Sequence, residues 1–233
     1  MLAAKLARFG NWINSGNHSR IEICEWFPLL HAATVGVSYQ AQFCISAQKV
    51  IALPLWSFGQ PLDGVIQVAF IVEDIRAAMP LFSKQFRVGP WFLIEHFEFD
   101  WVKYRGSATA LDISICLGYS GSMMFELIEQ HCDTPSVYQE TLQQRGFGFH
   151  HLAVATAPDL YDQVLADYQD QGATLALEAA VKVGGRAAYL DFGPLLPGMI
   201  ELIEVTPTVE ALFSHVKQPS IGWDGEDAIR TLG

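Results

Sequence analysis

Two short runs constrain this chain more than any others, because one repeats the other. Met124-Phe125-Glu126-Leu127-Ile128-Glu129 returns as Met199-Ile200-Glu201-Leu202-Ile203-Glu204. Both are apolar runs of strand length with a carboxylate inside, a charge that an ordinary core strand excludes. Each has a second echo upstream: Gln67-Val68-Ala69-Phe70 before the first, and His151-Leu152-Ala153-Val154 before the second. In both echoes a polar residue sits in an apolar run and Ala follows two positions later. Two modules that each offer such a pair bring Gln67, Glu126, His151 and Glu201 to one site. Two neutral N/O donors and two carboxylates suit a divalent metal.

The rest of the composition narrows the class. At 233 residues the chain fits one or two small domains and is long enough to bury a core. With 51% hydrophobic and 17% charged residues it reads as packed and globular. A formal net charge of −11, with no Lys/Arg cluster, excludes a nucleic-acid surface. Cys24, Cys44, Cys116 and Cys132 show no CxxC spacing, so a reduced, cytoplasmic setting is expected. No apolar run approaches the roughly 20 residues of a membrane span, and no membrane partner is expected.

Along the chain, residues 1–61 read as an N-terminal extension. Met1 to Phe9 suits a short helix, but without the apolar core and cleavage site of a signal peptide. No function is assigned before Leu62. Residues 62–132 form a first module. A strand holds Gln67, Asp74 caps a helix carrying Ile75, Met79 and Phe82, and Pro80 should kink or interrupt that helix. Strands follow at Trp91–Ile94, Ala110–Gly118 and Ser122–Glu129. Residues 133–147 form a linker with a short helix after Pro135-Ser136. Residues 148–206 repeat the order: a strand with His150 and His151, a helix from Pro158, then three strands with a Gly184-Gly185 turn between the first two. Residues 207–233 supply a helix presenting Val209, Leu212, Phe213 and Val216, and a Trp223-Asp224-Gly225 turn whose aromatic packs back on the body.

On these residues the chain resembles the glyoxalase/bleomycin-resistance/extradiol-dioxygenase superfamily, the vicinal oxygen chelate proteins. The resemblance rests on Val65-Ile66-Gln67-Val68-Ala69, Met124-Phe125-Glu126-Leu127-Ile128, Gly148-Phe149-His150-His151-Leu152-Ala153 and Met199-Ile200-Glu201-Leu202-Ile203, in that order. It implies an α+β fold in which two strand-helix-three-strand (βαβββ) modules form a curved mixed sheet, a cup. It also implies that Gln67, Glu126, His151 and Glu201 bind a divalent ion among Zn, Ni, Co and Mn. The modules pair either within one chain or across a homodimer. Strand alternation separates Glu126 from Glu129, Glu201 from Glu204, and His150 from His151, so one member of each pair faces the cup.

Three chemistries compete within that resemblance. Iron-dependent dioxygenases need two histidines and one carboxylate, which Gln67 at the first position excludes. Metal-free binding proteins of the bleomycin-resistance type lack the ligand set retained here. The remaining class is a lyase or isomerase acting through an enediolate on a small-molecule substrate, nearest in ligands to glyoxalase I, with methylmalonyl-CoA epimerase as the alternative. Glu201 is the expected base and Glu126 the alternative. Arg105, with Tyr104 and Trp101 beside it, either clamps a substrate carboxylate or phosphate or makes a surface salt bridge. Trp91 reads as core, and Tyr189 as core or pocket wall.

Overall fold

The computed structural model describes residues 54–62 and 64–232, so the helix expected over 1–9 and Cys24 and Cys44 lie outside the described residues. Eleven strands form one mixed sheet: β1 (Val65–Ile71), β2 (Trp91–Ile94), β3 (Phe99–Tyr104), β4 (Ser107–Ala108), β5 (Ile113–Ser120), β6 (Met123–Gln130), β7 (Gly148–Thr156), β8 (Thr174–Val181), β9 (Arg186–Asp191), β10 (Met199–Glu204) and β11 (Ile229–Thr231). Among the described residues four α-helices accompany them: α1 (Ile75–Phe86), α2 (Val137–Arg145), α3 (Tyr161–Asp170) and α4 (Pro207–Lys217). The fold is α+β, as expected. Its spatial order is β11-β2-β5-β6-β1-β7-β10-β9-β8-β3-β4. The order β2-β5-β6-β1 on one side answers β8-β9-β10-β7 on the other, and the two halves meet within one chain along the antiparallel pair β1–β7.

Chain connectivity forces this sheet to curl. Strands β2 and β3 lie eight places apart in the order, which in a flat sheet at about 4.8 Å per strand is roughly 38 Å. Only residues 95–98 join Ile94 to Phe99, a reach of about 17 Å when fully extended. The connection also bonds to both walls: Phe97 N–H donates to the Ile113 carbonyl (2.7 Å), and Lys182 N–H donates to the Glu98 carbonyl (3.3 Å). The β3–β4 hairpin is absent from the sequence reading, which places only three strands after the first helix. Its aromatic and charged residues mask the alternation. The turn closes through Arg105 and Gly106, both at positive φ, as a tight hairpin requires.

Helices α1 and α3 cover the outer surface. Asp74 accepts from Ala77 N–H at the start of α1, and Glu129 accepts from Ile75 N–H at 2.8 Å, so the outward-facing carboxylate caps a helix. The helix runs through Pro80 without the expected interruption. Ile75 and Met79 are buried against Trp91, Leu93, Cys116 and Leu127, and that packing offsets the missing hydrogen bond, a cost of about 3 kcal/mol. Helix α3 begins at Tyr161 and not at Pro158, because a turn closed by Leu160 N–H on the Ala157 carbonyl comes first. Glu204, on the outer side like Glu129, receives both arms of the Arg186 guanidinium.

Helices α2 and α4 close the two ends of the concave side. Val137 and Tyr138 of α2 pack with Ala69, Ile128 and Met199. Val209, Phe213 and Val216 of α4 pack with Leu117, Met124 and Ala153. The packed body reaches further toward the N-terminus than residue 62. Phe58 is 1% exposed and meets Phe213 edge-on at 5.4 Å, and Ser57 N–H donates to Glu210. At the other end Trp223 packs back as expected, so close to Gly89 that a Cβ there would lie 2.3 Å from its ring. Phe58→Ala should destabilise the protein by about 3–5 kcal/mol in urea denaturation, the usual loss for a buried Phe. A loss below about 1 kcal/mol would show that the segment around Phe58 is not part of the folded body.

Candidate metal centre

Register places the polar residues. In β1–β6, Gln67 pairs with Met124 and Ala69 with Glu126. In β1–β7, Gln67 pairs with Ala153 and Ala69 with His151. In β7–β10, His151 pairs with Met199 and Ala153 with Glu201. Cross-strand partners share a face, so two rows cross the concave side: Glu126-Ala69-His151-Met199 and Met124-Gln67-Ala153-Glu201. Ala69 and Ala153 sit between the polar residues, and their small side chains leave the space over the sheet into which the longer ones lean. That is the structural content of the repeated polar-x-Ala pattern.

A β-bulge modifies the expected alternation. The β1–β7 register jumps from Ala69↔His151 to Phe70↔Phe149, which leaves His150 unpaired. His150 therefore does not stay on the opposite side from His151: their Nδ1 atoms lie 2.8 Å apart and the rings meet edge-on. A matching register shift precedes Gln67 at Ile66.

The hydrogen bonds fix which nitrogen is free. His150 Nε2 lies 3.3 Å from the Val137 carbonyl, which can only accept, so Nε2 carries the proton. Burial, then the neighbouring His151, hold the His150 ring well below its ordinary pKa and therefore neutral. Its Nδ1 then accepts from His151 Nδ1–H. His151 Nε2 then lies 3.0 Å from Glu201 Oε2 and 3.4 Å from Glu126 Oε2, and unless it holds a second proton it points a bare lone pair at them.

Those contacts are electrostatically incomplete. Gln67 Oε1, Glu126 Oε2 and His151 Nε2 are buried with no hydrogen-bond partner. A lone pair facing two carboxylates away from water is repulsive unless a proton or a cation lies between them. Burial, reinforced by the Glu201 charge, pushes the Glu126 carboxyl well above its ordinary value, so the metal-free site holds a proton there. The donor atoms of Glu126, His151 and Glu201 all lie within 4.8 Å of one another, and Gln67 shares the cleft wall with both carboxylates. One imidazole nitrogen and several oxygens, orphaned and converging, fit a divalent ion.

Other candidates are not at this site. Arg105 sits in the β3–β4 turn, with both arms on Glu140 of α2 (2.6 and 3.3 Å) and Asp191 at 3.6 Å. Tyr104 donates to the same Glu140, and Trp101 is 41% exposed beneath the Lys103 ammonium. None of the three lines the cleft beside the carboxylates. The hairpin that carries them is tied to α2, and Arg105 is a structural clamp. Trp91 is fully buried core. Sequence reasoning misses His150, whose bulge has no signature in apolar periodicity, and Tyr138, which lies on the linker helix. Tyr138 and Tyr189 hydroxyls are 3.0 Å apart and line the inner part of the cleft with Glu126 and Glu201. Burial raises both phenols well above their ordinary range and keeps them protonated.

The model of the glyoxalase/bleomycin resistance protein/dioxygenase superfamily matches residues 66–189, more than half of the chain. The chain belongs to that superfamily. The match runs from the residue before Gln67 to Tyr189, ending before Glu201. Several solved structures are similar to this superfamily member. A hypothetical protein from Bacillus halodurans C-125 is 16% identical over 62% of this chain and 95% of its own, with a TM-score of 0.47. Methylmalonyl-CoA epimerase from Mycobacterium tuberculosis is 17% identical over 64% of this chain and 93% of its own, with a TM-score of 0.45. The Streptomyces coelicolor methylmalonyl-CoA epimerase is 17% identical over 62% of this chain and 99% of its own, with a TM-score of 0.43. No curated protein matches the chain. Among the described residues no helix is long and apolar enough to cross a membrane.

Two predictions follow from the geometry of this superfamily member. His150→Phe keeps the ring volume but removes the acceptor for His151 Nδ1–H, and should weaken divalent-ion affinity about 10- to 100-fold in a chelator competition. Undiminished affinity would show that His150 does not set the tautomer. For Glu126, folding raises the pKa above its ordinary 4.5, so the protonated form stabilises the fold at low pH and that contribution is lost as pH rises. In EDTA, the melting temperature of Glu126→Gln should therefore gain on wild type between about pH 5 and about pH 8. A constant difference would mean that Glu126 is not held protonated.

Proposed function

We propose that the protein is a metal-dependent lyase or isomerase that moves a proton on the carbon beside a carbonyl oxygen, the chemistry of glyoxalase I. The observation that carries this reading is the buried convergence of Glu126, His151 and Glu201. A divalent ion among Zn, Ni, Co and Mn would supply Lewis acidity there, drawing electron density from a substrate oxygen and easing ionisation of the neighbouring C–H. The residues assigned to hold it are Gln67, Glu126, His151 and Glu201, all supplied by one chain. His150 orients His151 toward the ion. Glu126 must release its proton for the ion to bind, which commits it as a ligand. Glu201 is left as the base that takes and returns the substrate proton. The Tyr138–Tyr189 pair, kept protonated, stands beside both carboxylates as a hydrogen-bond donor.

Deuterium exchange at the substrate C–H, followed by NMR in D₂O, tests the reading. The panel is the methylglyoxal–glutathione hemithioacetal, methylmalonyl-CoA and 2-hydroxyacetophenone. Metal-loaded protein should exchange at least one of them, and Glu201→Gln should slow that exchange about 100- to 10,000-fold while retaining metal. If Glu126→Gln loses exchange and Glu201→Gln does not, the two roles are swapped. Metal-loaded protein that exchanges none of the three would instead be a binding protein.

A further inference from the structure

The wall of the cleft restricts what can reach the carboxylates. Glu126 and Glu201 border two lobes that share a wall, with cavity volumes of about 90 Å³ and 70 Å³. Both lie below the roughly 300–1,000 Å³ of drug-sized ligand sites, so they suit a small organic molecule and not a peptide. The outer lobe is built from Ile94, Phe97, Ile115, Leu117, Ile203 and Leu212, among other apolar side chains. Its polar members are Gln67 and the two carboxylates, with Arg186 and Glu204 also on its border and their side chains paired on the outer side.

Charge decides the rest. Arg186 is the one cation that lines either lobe among the described residues, and it is committed. Its guanidinium holds Glu204 with two bonds (3.1 and 2.9 Å) and Asp162 with a third (2.6 Å), and it stacks 4.1 Å over Tyr161. With the two charges of a divalent ion balanced by Glu126 and Glu201, an anion entering the cleft would meet apolar walls and no free cation, in a chain whose net charge is −11. Arg105 pairs with Glu140 away from both lobes, so it offers no compensation.

The inner lobe offers something to an uncharged oxygen instead. Tyr138 and Tyr189 bring two hydroxyl hydrogens, and the bond between them uses one. Among the described residues no acceptor takes the second. A carbonyl or hydroxyl oxygen seated beside Glu126 and Glu201 would receive it, and would end the polar deficit that burial otherwise leaves there.

We infer that the substrate is an uncharged, mostly apolar oxygenated molecule taken whole into the cleft, an aromatic or alicyclic ketone or hydroxyketone, and not a glutathione or coenzyme A conjugate. This rests on the reading that the carboxylate–histidine group is the reacting end. The apolar body fills the outer lobe, and its oxygen lies at the inner lobe between the tyrosine pair and the carboxylates.

A matched pair of probes tests it on the full metal-loaded chain by calorimetry: 2-acetonaphthone, and the same ketone carrying a 6-sulfonate. S-hexylglutathione and acetyl-CoA are run as competitors. The uncharged ketone should bind at least about tenfold tighter than the sulfonate, a difference of about 1.4 kcal/mol, and neither conjugate should displace it. Leu212→Lys, which sets a cation in the wall from half-buried helix α4, should move the ratio at least about tenfold toward the sulfonate. Equal or tighter binding of the sulfonate or of either conjugate overturns the inference, as does no binding of the ketone. An unchanged ratio in a folded Leu212→Lys overturns it as well. Metal content measured on the same samples separates the two readings. Ketone preference without metal removes the proton-transfer reading and leaves the ligand class standing, whereas metal with reversed preference removes the ligand class alone.

Discussion

The structure depends on the short connection from β2 to β3. Four residues tie a strand near one edge of the sheet to a strand near the other, and eleven strands cannot lie flat under that restraint. The curl gives the sheet an inside, and only an inside can bury two carboxylates and a histidine together while helices cover the outside. Phe97 within that connection and Phe99 just after it then become cleft wall. The hydrogen bonds that Phe97 N–H donates to one wall and the Glu98 carbonyl accepts from the other hold the closure without any metal. The centre is therefore organised by the backbone before an ion arrives, which is the condition for converging ligands that repel one another when empty.

Within the cup, residue size matters as much as residue chemistry. Ala69 and Ala153 each lie between polar residues of neighbouring strands, and a larger side chain at either would fill the space the ligands need. Outward carboxylates have different work. Glu129 holds the start of α1 and Glu204 holds Arg186, so the Glu-x-x-Glu spacing in each strand supplies one group to the centre and one to the scaffold. Removing the outer member tests the fold, and removing the inner member tests the chemistry.

How much of this was legible in the sequence depends on the range of the signal. The duplicated apolar runs gave the central strands, the shared face of Gln67, Glu126, His151 and Glu201, and the helices capped by Asp74 and Ser136, because alternation and caps are local. The β3–β4 hairpin was not legible, since its partner β8 lies some seventy residues away and its charged outer face hides the period. Arg105 illustrates the same limit. The sequence left it either a substrate clamp or one half of a salt bridge, and only the fold shows Glu140 across from it. His150 was misplaced on the outer side because a bulge is decided by pairing, which no single strand reveals. The involvement of Phe58 was hidden for the same reason: its partner Phe213 is on the last helix.

The bulge at His150 also bears on how this site can change over generations. Because Phe70↔Phe149 and Ala69↔His151 remain partners on either side of it, loss of His150 would leave a regular ladder with His151 still on the concave face, but without the ring that bonds its Nδ1. Loss of the bulge residue would therefore loosen the orientation of one ligand without moving it, whereas substitutions at Gln67 exchange one donor for another on an unchanged frame. A lineage built on this frame would diversify by swapping side chains at fixed positions and by remodelling the apolar wall. Its central strands would be expected to keep their register even where little else of the sequence survives.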